Sequence, residues 1–206
     1  RVQLADEADA LPIQLDRRAT PRMQRRMRLG DEARQRALVF MNELGLDPGI
    51  DHMSAMQRIH QIKAKGGKIT AFYSYTGGLV APESDDNPWH YKITWNPRNI
   101  VLAGKAGAVY RQDGKEVTEK YEDLFDANRN VLTGDNEVPA LSYYPNRNSL
   151  PYIELYGLEK ARTFIRTTLR YPDFMIGWKK IISLKLTDET AVYDTDGKSF
   201  AAFFSE

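Results

Sequence analysis

Residues 46–75 read LDPGIDHMSAMQRIHQIKAKGGKITAFYSY, and this stretch decides the local architecture of the chain. Asp47-Pro48-Gly49 is turn chemistry: proline presets φ and glycine takes conformations that other residues avoid. Asp51 can then cap a helix on which Met53, Met56, Ile59 and Ile62 recur along one face, until Gly66-Gly67 ends it. Ile69 to Tyr75 follows, rich in aromatic and β-branched residues, and predicts a strand. Upstream, Ala37-Leu38-Val39-Phe40-Met41 is a short continuous apolar run of the kind that forms a buried strand. Strand, tight turn, helix, strand is an arrangement in which a helix N-terminus faces a ligand.

Outward from this unit the pattern continues. Residues 77–98, GGLVAPESDDNPWHYKITWNPR, put glycine, proline and fixed polar groups at the ends of short apolar runs, as a ligand-holding loop does. Within it Tyr91 to Trp95 reads as a short strand. Asn96 then caps a helix with Pro97 at its first position, which places Arg98 in the first turn. Ala108 to Gln112, Asp113-Gly114 and Lys115 to Lys120 spell a hairpin with a type I′ turn. Leu141 to Tyr144 is a further strand. From Thr163 to Tyr171 the alternation is strict, with Thr163, Ile165, Thr167 and Leu169 on one face and Arg166, Thr168 and Arg170 on the other. Pro172 opens a last helix whose Phe174, Trp178, Ile181 and Ile182 face a core. Near the start, Thr20-Pro21 begins a helix to about Arg36, with Met23, Met27, Ala33 and Ala37 as its apolar stripe. Its Arg22, Arg25, Arg26 and Arg28 could contact nucleic acid, but beside Asp31 and Glu32 they read better as a solvated face. With no internal repeat, the order predicts an α/β (α+β) fold: a mixed β-sheet with helices packed mainly on one face.

Composition narrows the function. A chain of 206 residues that is 42% hydrophobic buries a real core. Lys plus Arg number 29 against 28 Asp plus Glu, so a net charge of +1 offers no whole-molecule attraction to nucleic acid. There is no cysteine for disulfide or thiolate chemistry. Apolar runs fall far short of the roughly 20 residues that span a bilayer, and RVQLADEADALPIQLDRR has no apolar signal core. The expectation is a soluble, cytoplasmic protein with neither membrane nor nucleic-acid partner. No G-x-G-x-x-G, P-loop or G-x-S-x-G pattern is present, and His52, His60 and His90 lack metal-ligand spacing. What remains is a site for an anionic small molecule. Arg98 at a helix start could grip a carboxylate together with free backbone N–H groups. The N–H groups of Gly49, Ile50 and Asp51 offer a second anion-receptive helix start. Arg166 and Arg170, on one sheet face, could serve the same class of ligand.

At these residues the sequence resembles the saccharopine dehydrogenase (saccharopine reductase) family. The resemblance is carried by MNELGLDPGIDHMSA (41–55), SYTGGLVAPESDDNP (74–88), YKITWNPRNIVLAG (91–104), YRQDGKEV (110–117), YYPNRNSLPYIELYGL (143–158) and FIRTTLRYPDF (164–174). It implies an NAD(P)-dependent oxidoreductase of lysine metabolism, in which a Rossmann domain precedes an α/β domain that binds substrate and dimerises. The reaction joins 2-aminoadipate semialdehyde to glutamate through an imine, and a hydride reduces the imine to saccharopine. By position, Arg98 in WNPRN matches the arginine that binds a saccharopine carboxylate. The backbone at Gly49 and Ile50 matches the turn that lies against substrate and nicotinamide. Asp51 and His52 match the same motif; neither is assigned as acid or base, and capping is the expected role of Asp51. The implied partners are a small anionic amino-acid substrate, saccharopine or glutamate, and a second copy in a homodimer. The cofactor is NADP or NAD, bound in the full-length enzyme and not tightly by this chain, because the glycine-rich loop belongs before Arg1. Residues 1–36 are then expected to be a remnant of or linker from the nucleotide-binding half, 37–186 the substrate-binding and dimerisation domain, and 187–206 the start of a truncated helical insert. The alternative is a dimeric scaffold or ligand-sensing module of this family without turnover.

Overall fold

The strictly alternating segment becomes the strand on which the sheet is organised. The computed structural model of the protein describes residues 35–37, 45–131, 140–190 and 193–205. The expected helix from Thr20 and the expected strand at 37–41 fall almost wholly outside these residues. Six strands form one mixed sheet: β1 (Ala71–Thr76), β2 (Ala108–Gln112), β3 (Lys115–Glu119), β4 (Asn130–Val131), β5 (Leu141–Pro145) and β6 (Thr163–Arg170). On one edge β6 runs parallel to β1, from Ala71 opposite Thr163 to Thr76 opposite Thr168. On its other edge it meets β2 at Arg111 and runs antiparallel to β5, from Ser142 opposite Arg170 to Pro145 opposite Thr167. The chain after β5 closes the gap between these two neighbours, with Val109 N–H donating to the Arg147 carbonyl and Ser149 N–H to that of Val109. The β2–β3 hairpin turns at Asp113 and Gly114, both at positive φ as a type I′ turn requires.

The mixed sheet is as expected, but helices cover both sides of β6 where the sequence predicts them mainly on one face. Phe164 belongs to one cluster with Ile59 of α1 (Ile50–Ala64), Ile153 of α4 (Pro151–Leu155) and Tyr156. Its neighbour Ile165 belongs to a larger cluster with Ile100 of α2 (Pro97–Val101), Leu124 of α3 (Tyr121–Leu124) and Phe174, Met175, Trp178 and Ile182 of α5 (Pro172–Ser183). Consecutive strand residues point to opposite faces, so the two clusters lie on opposite sides of the strand. A single turn, α6 (Phe200–Phe203), is capped by Ser199.

Two further expectations are corrected. Only Ile59 of the apolar stripe on α1 is buried. Met53 and Ile62 stay exposed, because contact with the sheet is made through Ala55, Met56 and Ile59. Tyr91 to Trp95 forms no strand. The Asn87 side chain takes both backbone groups of Tyr91, accepting from its N–H at 3.4 Å and donating to its carbonyl at 3.1 Å, so no ladder is left to make there. His90 at φ 51° turns the chain, and Trp89 and Tyr91 pack on Phe174 of α5 instead. Gly177 makes the room: a Cβ there would lie 2.7 Å from Trp89 Cε2.

A polar knot ties the hairpin to the following loop. The Glu119 carboxylate accepts the Tyr110 hydroxyl proton and both bonds of a fork from Arg129 Nη2, at 2.8 and 2.9 Å. Glu119→Gln is therefore expected to cost about 2–3 kcal/mol, the worth of hydrogen bonds to a charged group, because it leaves the Arg129 cation without its counter-charge; urea unfolding measures it. Tyr110, Tyr144 and Tyr156 are all buried, and desolvation raises each phenol above its usual range, Tyr156 to about 12. A raised folded pKa means that the folded state holds protons which the unfolded state loses above pH 10. The stabilisation is thus complete below pH 10 and falls as pH rises towards 12, by up to about 1.4 kcal/mol per pH unit for each phenol. Urea midpoints at pH 8 to 11 should drop accordingly, and the drop should be smaller in Tyr156→Phe.

Candidate functional site

The turn before α1 is held from several directions. Gly49 has φ 147° and ψ −90°, a conformation that only glycine reaches without strain. Asp51, in the first turn of the helix, reaches back so that its Oδ1 accepts from Gly49 N–H at 2.7 Å. Ile50 N–H donates to the Gly45 carbonyl and Asp51 N–H to that of Leu46, each at 3.0 Å. All three donors expected to receive an anion are therefore used within the turn. The second oxygen of Asp51 lies 3.3 Å from Arg166 Nη2, and Asp47 Oδ1 approaches the same nitrogen at 3.8 Å. Arg166 also stacks on Tyr152, 4.1 Å from the ring centroid. His52 extends the network, with Nδ1 2.5 Å from the Tyr156 hydroxyl and its ring stacked on Tyr152. At 14% exposure for Arg166 and 9% for Asp51, these charges are mostly removed from water, where a paired cation is far better than a lone one. The exposed apolar surface here is the side chains of Leu46 and Ile50, while Gly49 itself is buried within the turn.

Arg98 lies on a different support. Asn96 Oδ1 accepts from the N–H groups of Arg98 and Asn99 at 3.0 and 3.4 Å, so the helix start is again closed by its own cap. What α2 presents is the guanidinium, 73% exposed, whose Nη2 donates to Glu189 Oε1 at 2.6 Å. Glu189 is delivered by the end of α5. Lys185 takes φ 56° after the helix, and Leu186 N–H returns to the Ile181 carbonyl while Lys185 N–H bonds that of Ile182, a Schellman closure. Buried Thr187 then anchors the turn to α3 by accepting from the Tyr121 hydroxyl at 3.3 Å. Burial raises the Tyr121 pKa, which keeps that hydroxyl a donor.

The predicted residues fall into separate settings. Gly49, Ile50, Asp51 and His52 share one network with Arg166, whereas Arg98 pairs with Glu189. Arg170 belongs with neither: its guanidinium lies over Tyr91 and Phe174, at 4.9 and 5.5 Å from their centroids. Sequence reading missed Glu189, Tyr152 and Tyr156. The tyrosines sit in a segment matched as a motif, but their contacts with α1 span a hundred residues of chain, which no local pattern reports. Sequence reading also missed the Asp85–His90 contact, Oδ2 to Nδ1 at 2.6 Å, which braces the loop before α2. Among the described residues no group of three or more His, Asp or Glu side chains is placed to hold a metal ion. Chemically, the arrangement can bind carboxylates through side-chain cations; its helix starts cannot.

Comparison with known proteins shows the family. The sequence profile of the "Saccharopine dehydrogenase C-terminal domain" family matches residues 45–200. The chain is 40% identical over 166 residues to "Saccharopine dehydrogenase [NADP(+), L-glutamate-forming]" of Pyricularia oryzae, covering 79% of this chain and 36% of that protein. It is 38% identical over 164 residues to "Alpha-aminoadipic semialdehyde synthase" of Arabidopsis thaliana, covering 79% of this chain and 15% of that protein. Among solved structures, the apo histidine-tagged saccharopine dehydrogenase (L-Glu forming) of Saccharomyces cerevisiae superposes with a TM-score of 0.69 at 38% identity, over 84% of this chain and 38% of that one. The chain thus spans about a third or less of the relatives it matches. With the family profile covering 45–200, this chain belongs to the saccharopine dehydrogenase C-terminal domain family.

Proposed function

We propose that this domain is the substrate-binding part of an NADP-dependent saccharopine dehydrogenase-like oxidoreductase of lysine metabolism. The reaction is hydride transfer to or from the C–N bond that joins 2-aminoadipate semialdehyde to glutamate. The observation that carries the proposal is Arg98: an exposed guanidinium in the first turn of a short helix, capped at its root by Asn96 and bordering a hollow. A bidentate cation of this kind suits a substrate whose ends are carboxylates. Gly49 and Ile50 contribute a wall rather than donors. Gly49, buried and at φ 147°, lets the chain turn there, and the exposed Ile50 side chain offers the apolar contact. The Arg166 ion pairs hold that wall in shape.

The two helix starts beside the site do not fit a dinucleotide's pyrophosphate. Both helix starts next to the site have their N–H groups filled by Asn96, Asp51 and the carbonyls of Gly45 and Leu46, so no phosphate cradle is left there. NADP is named in the relatives' activity, and we assign its binding to another part of the enzyme. A homodimer and a cytoplasmic location belong to the same proposal. The dimer is consistent with β1, whose outer edge pairs with no described strand and whose Tyr73 and Tyr75 stack exposed to solvent. No helix among the described residues is long and apolar enough to cross a membrane.

Titration of the 206-residue chain with saccharopine should shift the NMR signal of the Arg98 guanidinium and slow hydrogen exchange around α2. Arg98→Ala should weaken binding about two- to fivefold, the worth of an exposed ion pair. Unchanged affinity in that variant would remove Arg98 from the site. The same chain mixed with NADPH should leave the cofactor's fluorescence unaltered at concentrations that saturate the full-length relatives, and a saturable change would contradict the assignment of the cofactor elsewhere.

A further inference from the structure

The partner that Arg98 holds in the structure is itself a carboxylate. Glu189 and Asp188 face Arg98 across a shallow hollow of ≈ 470 Å³, floored by Val101, Leu102 and Leu186. One rim is cationic, the other anionic, and the floor is apolar. Glu189 is 57% exposed and its ion pair with Arg98 lies in water. An exposed pair of this kind is worth at most about 1 kcal/mol, so a ligand can open it. The turn that carries Glu189 is by contrast fixed, by the Schellman closure at Lys185 and by the hydrogen bond between Tyr121 and buried Thr187. The carboxylate therefore stays at the rim when its bond to Arg98 is broken.

We propose that the Arg98–Glu189 hollow is a subsite for a zwitterionic α-amino-acid head, and that Glu189 determines its specificity. The ligand carboxylate takes the guanidinium from Glu189, and the released Glu189 carboxylate accepts the neighbouring ammonium. Without ligand, Glu189 closes on Arg98 and acts as an internal competitor. A carboxylate that carries no ammonium must displace Glu189 and leave it unpaired beside a second negative charge, Asp188. A zwitterion gives Glu189 a new partner as it removes the old one. The subsite thus separates amino acids from plain dicarboxylates of the same length, although both satisfy Arg98 equally. This inference rests on the reading of Arg98 as the carboxylate-binding residue, and it adds the selection rule.

The test compares L-2-aminoadipate with adipate, which differ only by the ammonium, on the 206-residue chain at low ionic strength, where exposed pairs are least screened. Affinities are read by isothermal titration calorimetry, which serves the wild type and every variant alike. The wild-type chain should prefer L-2-aminoadipate, by about two- to fivefold if one exposed pair makes the difference. Glu189→Gln should move the two ligands in opposite directions, tightening adipate and weakening aminoadipate, so that the preference falls to near one. A preference that survives in Glu189→Gln would overturn the proposal while leaving Arg98 as a carboxylate site. Arg98→Ala separates the two readings: weaker binding of both ligands supports the carboxylate site, whereas unchanged binding of both removes the site and this inference together. Failure of the wild-type chain to bind either compound at millimolar concentration would likewise overturn both.

Discussion

A strand inside a sheet must satisfy its backbone donors and acceptors along two edges, and in this domain that demand falls on β6. β1 takes one edge over six residues, and β2 and β5 divide the other. Because two different strands share that edge, the chain that follows β5, from Asn146 to Ser149, returns to β2 with its own hydrogen bonds. The placement of α4, of the β2–β3 hairpin and of α5 follows from this one strand. The two side-chain arrays then fall into place, since Arg166 leaves β6 towards the turn before α1 and Pro172 directs α5 towards α2.

The sequence was most legible where a local rule carried the whole decision. The Asp113-Gly114 hairpin, the alternation of β6, the Asn96-Pro97 helix start and the Pro172 helix are each set by neighbours a few residues apart, and each is present. It was least legible where a side chain competes with the backbone. Tyr91 to Trp95 has strand-like residues, but the amide of Asn87 binds Tyr91 first. The stripe on α1 has helical spacing, yet the sheet turns it so that Met53 and Ile62 stay outside. In the site, Arg98 and the Gly49 turn could be found in the sequence, because arginine and Pro-Gly chemistry are visible there. Glu189 could not, because it meets Arg98 across 91 residues through the closure of another helix.

A helix start is often treated as a vacant anion receptor, and both candidates here are occupied from within. Asp51 and Asn96 supply acceptors inside the first turn, so the dipole is already neutralised by protein. Recognition passes to side chains, which differ from backbone donors in two respects. They can be contested by another side chain, as Glu189 contests Arg98. They can also be changed by one substitution without altering the fold. On the proposed reading, specificity on this scaffold sits at surface positions, while the mostly buried ions of Asp51 and Arg166 preserve shape.

The division of the interior between Phe164 and Ile165 also bears on how this sheet avoids assembling wrongly. Because these two residues feed clusters on opposite sides of one strand, sliding β6 by a single position would exchange them. A flat aromatic ring would then face the space shaped for a branched aliphatic chain, and the reverse on the other side. In a sheet with one wet face a slip spoils one core and leaves the other face indifferent. Here the error registers twice. Misaligned pairings during folding thus gain neither core, and the correct alignment is separated from its neighbours by a wide gap in energy.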